Sequence, residues 1–200
     1  ASKASKDEII RRYYNVLKNN FYGKYSDECV DKAAMLMNQA NITIDDRKCV
    51  KACLEKAECA KTYAVALELN DGTIITAKTS ELLRAPAAVL LNSLKHLANI
   101  DDALMLLSRN VINPIQELKV DCLGNRNPRL HAEEVLIALA INATTNPIAE
   151  YALKQIGKLK GAQAHSSVFL QEADVNTNKK LGIQITEEPI PSIKKLYKKR

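Results

Sequence analysis

At residue 62 the spacing of the apolar side chains changes, and that change constrains the fold more than any other feature. Before it, apolar residues recur every three to four positions. From it, residues 62–69 (TYAVALEL) alternate, Asp71-Gly72 supplies a tight-turn dipeptide, and residues 73–77 (TIITA) return. Period-2 runs flanking Asp-Gly are the signature of a β-hairpin. A lone hairpin is at best marginal in water, so more strands and a covering layer of helices must be supplied by the rest of the chain.

The first 61 residues read as a helical module. Residues 6–19 carry Ile9, Ile10, Tyr13, Tyr14 and Leu17 at helical spacing, with acids leading and bases following, as the helix dipole prefers. Residues 26–40 form a second helix announced by Ser26, Asp27 and Glu28. Residues 43–61 form a third, opened by Thr43 or Asp45.

After the hairpin, Thr79 or Ser80 is expected to cap a helix running to about residue 98, with Pro86 delaying its start or bending it. Residues 103–108 (ALMLLS) read as a short buried strand and 110–120 as a helix. Asn127-Pro128 and Asn146-Pro147 each pair a cap with proline at the first helical position. The second of these helices is expected to end near Gly157. Residues 164–170 and 183–186 read as strands around a short helix, 173–181, closed by Gly182. The expected fold is mixed α/β (α+β): a helical module at 1–61, a small sheet covered by helices at 62–189, and a basic tail at 190–200.

Charge narrows the partners. The net charge is +6, but Lys194, Lys195, Lys198, Lys199 and Arg200 supply five of those charges, leaving residues 1–193 at +1. No aromatic-interleaved basic patch for base stacking accompanies the tail, so nucleic acid is not the expected partner. With aromatics at 4% and no Trp, the core must be built from Leu, Ile, Val and Ala. There is no apolar run of membrane-spanning length, and no membrane association is expected. Cys29, Cys49, Cys53, Cys59 and Cys122 are odd in number and contain no C-x-x-C, which fits a reducing, cytoplasmic compartment. Cys49 and Cys53 share a helical face but lack a nearby His to complete a zinc set. They are read as buried thiols, and no metal or cofactor is expected. The sequence begins at Ala1 without Met, as a fragment or processed product would.

Three strings invite chemistry. Gly72-Thr-Ile-Ile-Thr-Ala77-Lys78-Thr79 nearly spells G-x-x-x-x-G-K-[ST], yet position 77 is Ala and the interior is β-forming, so a phosphate loop is not expected there. Lys78, Thr79 and Ser80 still precede a helix start, where an anion can bind. His131-Ala132-Glu133 matches the H-x-E of zinc deaminases, but no cysteine follows to complete the metal site. His165-Ser166 is no catalytic pair, since neighbouring strand residues point to opposite faces. His165 can nonetheless line a pocket at a strand end together with His131, Arg129 or Lys78.

The strings DGTIITAKTSELL, NPRLHAEEVLIALAI and LKGAQAHSSVFLQEADVNTNKKLGI together resemble the uncharacterised bacterial domain-of-unknown-function family eighteen-forty-six. The resemblance runs from about Ser5 to about Pro189. It implies a C-terminal portion of a longer protein, whose N-terminal half carries a separate G-P-G-S-G-K phosphate-loop-like motif absent here. Family members commonly have Gly where this chain has Ala77, and strings such as H-T-D where it has His131-Ala132-Glu133. The family brings no assigned activity. The expectation is an accessory domain contributing self-association, contact with the missing N-terminal half, or one wall of an anion site made by Lys78, Thr79, Ser80, Arg129, His131 and His165. The rival expectation is an enzyme acting on a nucleotide or phosphorylated metabolite.

Overall fold

The computed structural model describes residues 2–192; the basic tail from residue 193 onward lies outside them. Helix α1 spans Lys3–Phe21 and opens with the Ser2 hydroxyl accepting from the Ser5 N–H at 3.2 Å. Helix α2 spans Asp27–Gln39 behind Ser26. A 3₁₀ turn at Ile44–Asp46, fixed by Asp46 Oδ2 accepting from the Thr43 N–H at 2.9 Å, leads into α3, Lys48–Ala60. These elements match the helical stretches expected before residue 62.

The hairpin forms as expected, with β1 at Ala64–Glu68 and β2 at Ile74–Lys78, antiparallel, Ala66 opposite Thr76. Then come α4 (Ala85–Leu97), α5 (Arg109–Glu117) running into a π turn at Leu118–Cys122, α6 (Ala132–Asn142) and α7 (Pro147–Leu153). After a 3₁₀ turn at Ile156–Leu159, β3 (Gln163–Ser166), α8 (Glu172–Lys180) and β4 (Gln184–Glu187) complete the described elements. The sheet order is β2-β1-β3-β4; β3 is antiparallel to β1 and parallel to β4.

Strand alternation sorts the core into two layers. Val65 and Leu67 of β1, with Ala77 and Ala164, join Leu90, Leu94, Leu130, Val135 and Leu139 in the large core under α4, α6 and α7. Ala64 and Ala66 face the other way and pack on Cys49 and Cys53 of α3. All of β1 is buried. Ile10, Tyr14, Met37, Ile42 and Val50 form a third cluster, which binds α1 and α2 to the start of α3. The result is a mixed sheet between two helical layers. Among the described residues no helix is long and apolar enough to cross a membrane.

Three local expectations are corrected. The first concerns the hydroxyls before α4: Ser80 caps a turn, and Thr79 reaches the first N–H of α4 from six residues back rather than opening the helix itself. Ser80 Oγ accepts from the Leu83 N–H at 3.1 Å and Thr79 Oγ1 from the Ala85 N–H at 3.3 Å, so α4 begins only at Ala85 with Pro86 in its first turn. Residues 103–108 are a loop, not a strand. Its backbone is held by side chains, Lys95 Nζ donating to the Asp102 carbonyl and Asn142 Nδ2 to the Leu106 carbonyl, while Leu106 and Leu107 cover the core edge. Finally, Asn127 accepts from the Arg129 N–H in a local turn, and Leu130 pairs with Leu83, so the next helix waits until Ala132. Gly182 closes α8 as expected; it lies at φ +75°, and a Cβ there would sit 2.9 Å from Lys160 Cγ.

Candidate functional site

The register places the carboxyl ends of β2, β3 and β4 and the start of β1 at one end of the sheet. Ligands of open α/β sheets gather at the carboxyl ends of strands. Helices α4 and α6 both start there, because Leu82–Arg84 and Leu130 exchange backbone bonds: Leu130 N donates to the Leu82 carbonyl and Arg84 N to the Leu130 carbonyl, each at 3.0 Å. Helix α8 contributes Asp174 from its first turn. Its Oδ1 accepts from the Ala132 N–H at 2.8 Å and so caps α6 from outside, while Oδ2 lies 3.5 Å from Arg84 Nη1.

This junction is charged and half-enclosed. Asp174 is buried, and that burial raises its carboxyl above the ordinary value, against the Ala132 hydrogen bond and the Arg84 charge. Arg129 donates through Nε to the Ser80 carbonyl. Its guanidinium is pushed below its ordinary value by burial and then by the like charge of Arg84, with Glu81 opposing. Lys119, itself buried, donates to the Arg129 carbonyl at 2.7 Å and to Glu134 Oε2 at 2.6 Å. Burial acts to raise the Glu134 carboxyl, but hydrogen bonds from His131 and Lys119 outweigh it and hold it at about 2. Two buried nitrogens here, Arg84 Nε and His131 Nδ1, have no hydrogen-bond partner.

Five of the six residues expected at an anion site lie at this end. Ser80, Arg129 and His131 belong to the junction itself. Thr79 adjoins it through the Ala85 bond, and Lys78 stands exposed at the end of β2, opposite Ala64 and on the α3 face. His165 is elsewhere. It faces the α1 side of the sheet, fully buried, with its ring 4.7 Å from that of Tyr14. Its partners fix its tautomer. Thr186 Oγ1 accepts from Arg47 and donates to His165 Nδ1 at 2.7 Å, which leaves Nε2–H to donate to Glu188 Oε1 at 2.9 Å. Tyr14 donates to the same oxygen at 2.8 Å. Burial, opposed by Glu188, lowers the imidazole below its ordinary value, so His165 is neutral.

The near-phosphate-loop string is strand throughout its middle: Gly72 makes the hairpin turn at φ +86° and Ala77 lies inside β2. Cys49 and Cys53 are pushed up by burial to about 11 and about 12, protonated thiols filling the layer under α3. Among the described residues no three His, Cys, Asp or Glu side chains gather as a metal site. Sequence reasoning missed Arg84, Lys119, Glu134 and Asp174. An acid in the first turn of a helix, as at positions 134 and 174, is so common that it carries no specific signal, and Arg84 and Asp174 meet only across 90 residues of chain.

The model of the family described as "Domain of unknown function DUF1846, C-terminal" matches residues 45–197. A UPF0371 protein of Streptococcus pyogenes serotype M5 (strain Manfredo) is 47% identical over 199 residues, covering all of this chain. A UPF0371 protein of Streptococcus pneumoniae (strain CGSP14) is 46% identical over the same span. The chain spans 40% of the length of each of these relatives.

Proposed function

The chain belongs to the family of the C-terminal domain of unknown function DUF1846, and from that premise we propose that it forms one wall of an anion-binding site. The site centres on Arg84, Arg129, Ser80 and His131, flanked by Lys78 and Thr79, with the other wall supplied by the preceding part of the longer protein. One observation supports this reading: the Arg129 guanidinium, lowered in proton affinity first by burial and then by the nearby charge of Arg84, shares the junction with a second cation. Folding gains nothing from holding like charges together beside two helix starts, whereas a phosphate placed between them gains from both guanidiniums and from the helix dipoles. We read the site as a wall: of two cavities, one runs along β2 and the other, under the 102–107 loop, reaches Ser80, and neither is lined by Arg84, Arg129 or His131. A partner carrying 60% of the relatives' length is available to close it. The buried thiols and the unpaired cysteines support a reducing, cytoplasmic setting.

The test is thermal unfolding in the presence of phosphate, pyrophosphate and ATP. A probe at a hundred times its dissociation constant adds about 2.7 kcal/mol, or roughly 5–11 °C for a chain of this size. The shift is expected to vanish in an Arg84→Gln, Arg129→Gln double variant. Absence of any shift, in this chain and in the longer protein, would overturn the reading.

A second reading, an enzyme acting on a nucleotide or phosphorylated metabolite, draws support from Glu134 and Asp174. These two carboxyls of the same junction are driven in opposite directions, the pattern by which acid and base roles are divided. Turnover of a bound nucleotide that is lost in Asp174→Asn would favour it over simple binding.

A further inference from the structure

The hairpin register exposes a second surface along the outer edge of β2. Thr79 N donates to the Tyr63 carbonyl and Leu69 N to the Thr73 carbonyl, so the odd-numbered residues of β2 bond to β1. Antiparallel alternation then turns the backbone N–H and C=O groups of Ile74, Thr76 and Lys78 outward. β2 is an edge strand, and no strand among the described residues pairs with that side. An open groove of about 690 Å³ runs along it, lined by Ile74–Thr76, by Asn92, Lys95 and His96 of α4, and by Asn99–Asp102 after it. The lining residues of α4 stand at i, i+3 and i+4, one polar stripe of the helix. The usual protections of an edge, a proline or a bulge, are absent from Ile74–Lys78. Asn92 Nδ2 donates to the Thr76 carbonyl at 3.3 Å, which leaves that carbonyl's second lone pair open.

We infer that this edge pairs with β2 of a second copy of the chain, antiparallel about a two-fold axis at Thr76, joining two four-stranded sheets into one. Charge selects this occupant. α4 runs back along β2 from the Lys78 end, so Asp71, Asp101 and Asp102 lie beyond Ile74 while Lys78 stands at the opposite end. Lys95 and His96 line the groove there too, with Lys95 Nζ donating to the Asp102 carbonyl. A two-fold at Thr76 sets Lys78 of each copy opposite Ile74 of the other, carrying each positive end onto the other's acidic end. A parallel or shifted pairing loses that match. Thr76 faces its own counterpart, a favourable cross-strand pair, and the Lys78 stem covers the partly buried Ile74.

The experiment is sedimentation equilibrium of the chain, with amide hydrogen exchange as a second readout. The expected result is a concentration-dependent dimer in which the Thr76 N–H is protected and Ile74 and Lys78 are slowed with it. Thr76→Pro removes an outward N–H and leaves the β1 ladder intact, so a monomer with unchanged far-UV circular dichroism is expected. Should that variant fail to fold, Lys78→Glu decides. It lies at an exposed position, sets like charge on the acidic end twice per dimer, and is expected to weaken association about fivefold. A chain that stays monomeric at millimolar concentration overturns the inference, as does a dimer indifferent to both variants. Protection of Thr76 that appears only when the preceding part of the longer protein is added would assign the edge to that part instead.

Discussion

Glu134 gathers three donors: Lys119 Nζ at 2.6 Å, the His131 backbone N–H at 3.0 Å, and His131 Nε2 at 3.2 Å. A carboxyl held at about 2 in the fold and near 4.5 when unfolded stabilises the native state only while ionised. The sign is that of a depressed acid. The contribution is complete above pH 4.5 and is lost as pH falls from there towards 2. Because the group is only part-buried, solvent screening reduces the contribution to about 1–2 kcal/mol. Glu134→Gln is therefore expected to lower stability by about that amount at pH 7 and by much less at pH 3, as read from urea midpoints at each pH. An equal loss at both would mean that the charge is irrelevant. None of this was legible in the sequence, where Glu133 and Glu134 look alike. Only the fold separates the solvent-facing one from the one aimed at Lys119.

Two Asn-Pro dipeptides show at the scale of elements where sequence patterns suffice and where they stop. Asn146-Pro147 does what its chemistry allows: Asn146 Oδ1 accepts from the Ile148 and Ala149 N–H groups and Pro147 opens α7. Asn127-Pro128 has the same local chemistry, but Leu130 is drawn into backbone pairing with Leu83, and that long-range bridge overrides the cap. Asn146→Ala is accordingly expected to cost about 1 kcal/mol, some 2–4 °C, as an N-cap loss does. Asn127→Ala, which breaks only an Asx turn, is expected to fall within about 0.5 kcal/mol. Equal effects in calorimetry would refute the distinction. The same logic governs the rest of the chain. The hairpin, α1, α2 and α8 are set by near neighbours in sequence and were readable. The loop at 103–108, whose apolar run mimics a strand, is held by Lys95 and Asn142 from other elements. His165, expected near the start of a strand at 164–170, instead lies beside the carboxyl end of β3, and a layer of α1 and α3 that no local pattern announces closes over it.

That layer poses the question of what folds with what. The family match begins at residue 45, which would make α1 and α2 an appendage. The contacts argue otherwise. Along its length α1 sends Lys3 to Glu68 at 3.2 Å, Arg11 to Gln163 at 2.8 Å, Tyr14 to Glu188 at 2.8 Å and Lys18 to Glu187 at 2.6 Å, and sets Phe21 against Phe169 at 4.8 Å between ring centroids. It thereby reaches β1, β3 and the β4 end at once. Glu68, Glu187 and His165 are buried on the side of the sheet that α1 and α3 cover, and Arg47 is fully buried beside Thr186, Gln163 and the Gln184 carbonyl. Stripping α1 would leave a guanidinium and several carboxyls in a half-apolar trench, a cost of several kcal/mol that a fold of ordinary marginal stability does not absorb. Native-state hydrogen exchange is therefore expected to show the amides around Ile10 and Tyr14 opening with the same free energy and denaturant slope as those of β1 and β3. If α1 exchanged through a smaller, denaturant-insensitive opening, it would be a docked appendage, and a cut at residue 45 would leave a folded domain. If the slopes coincide, the cut destroys the sheet, and α1 is an integral part of the fold that carries the strand ends and their charged junction.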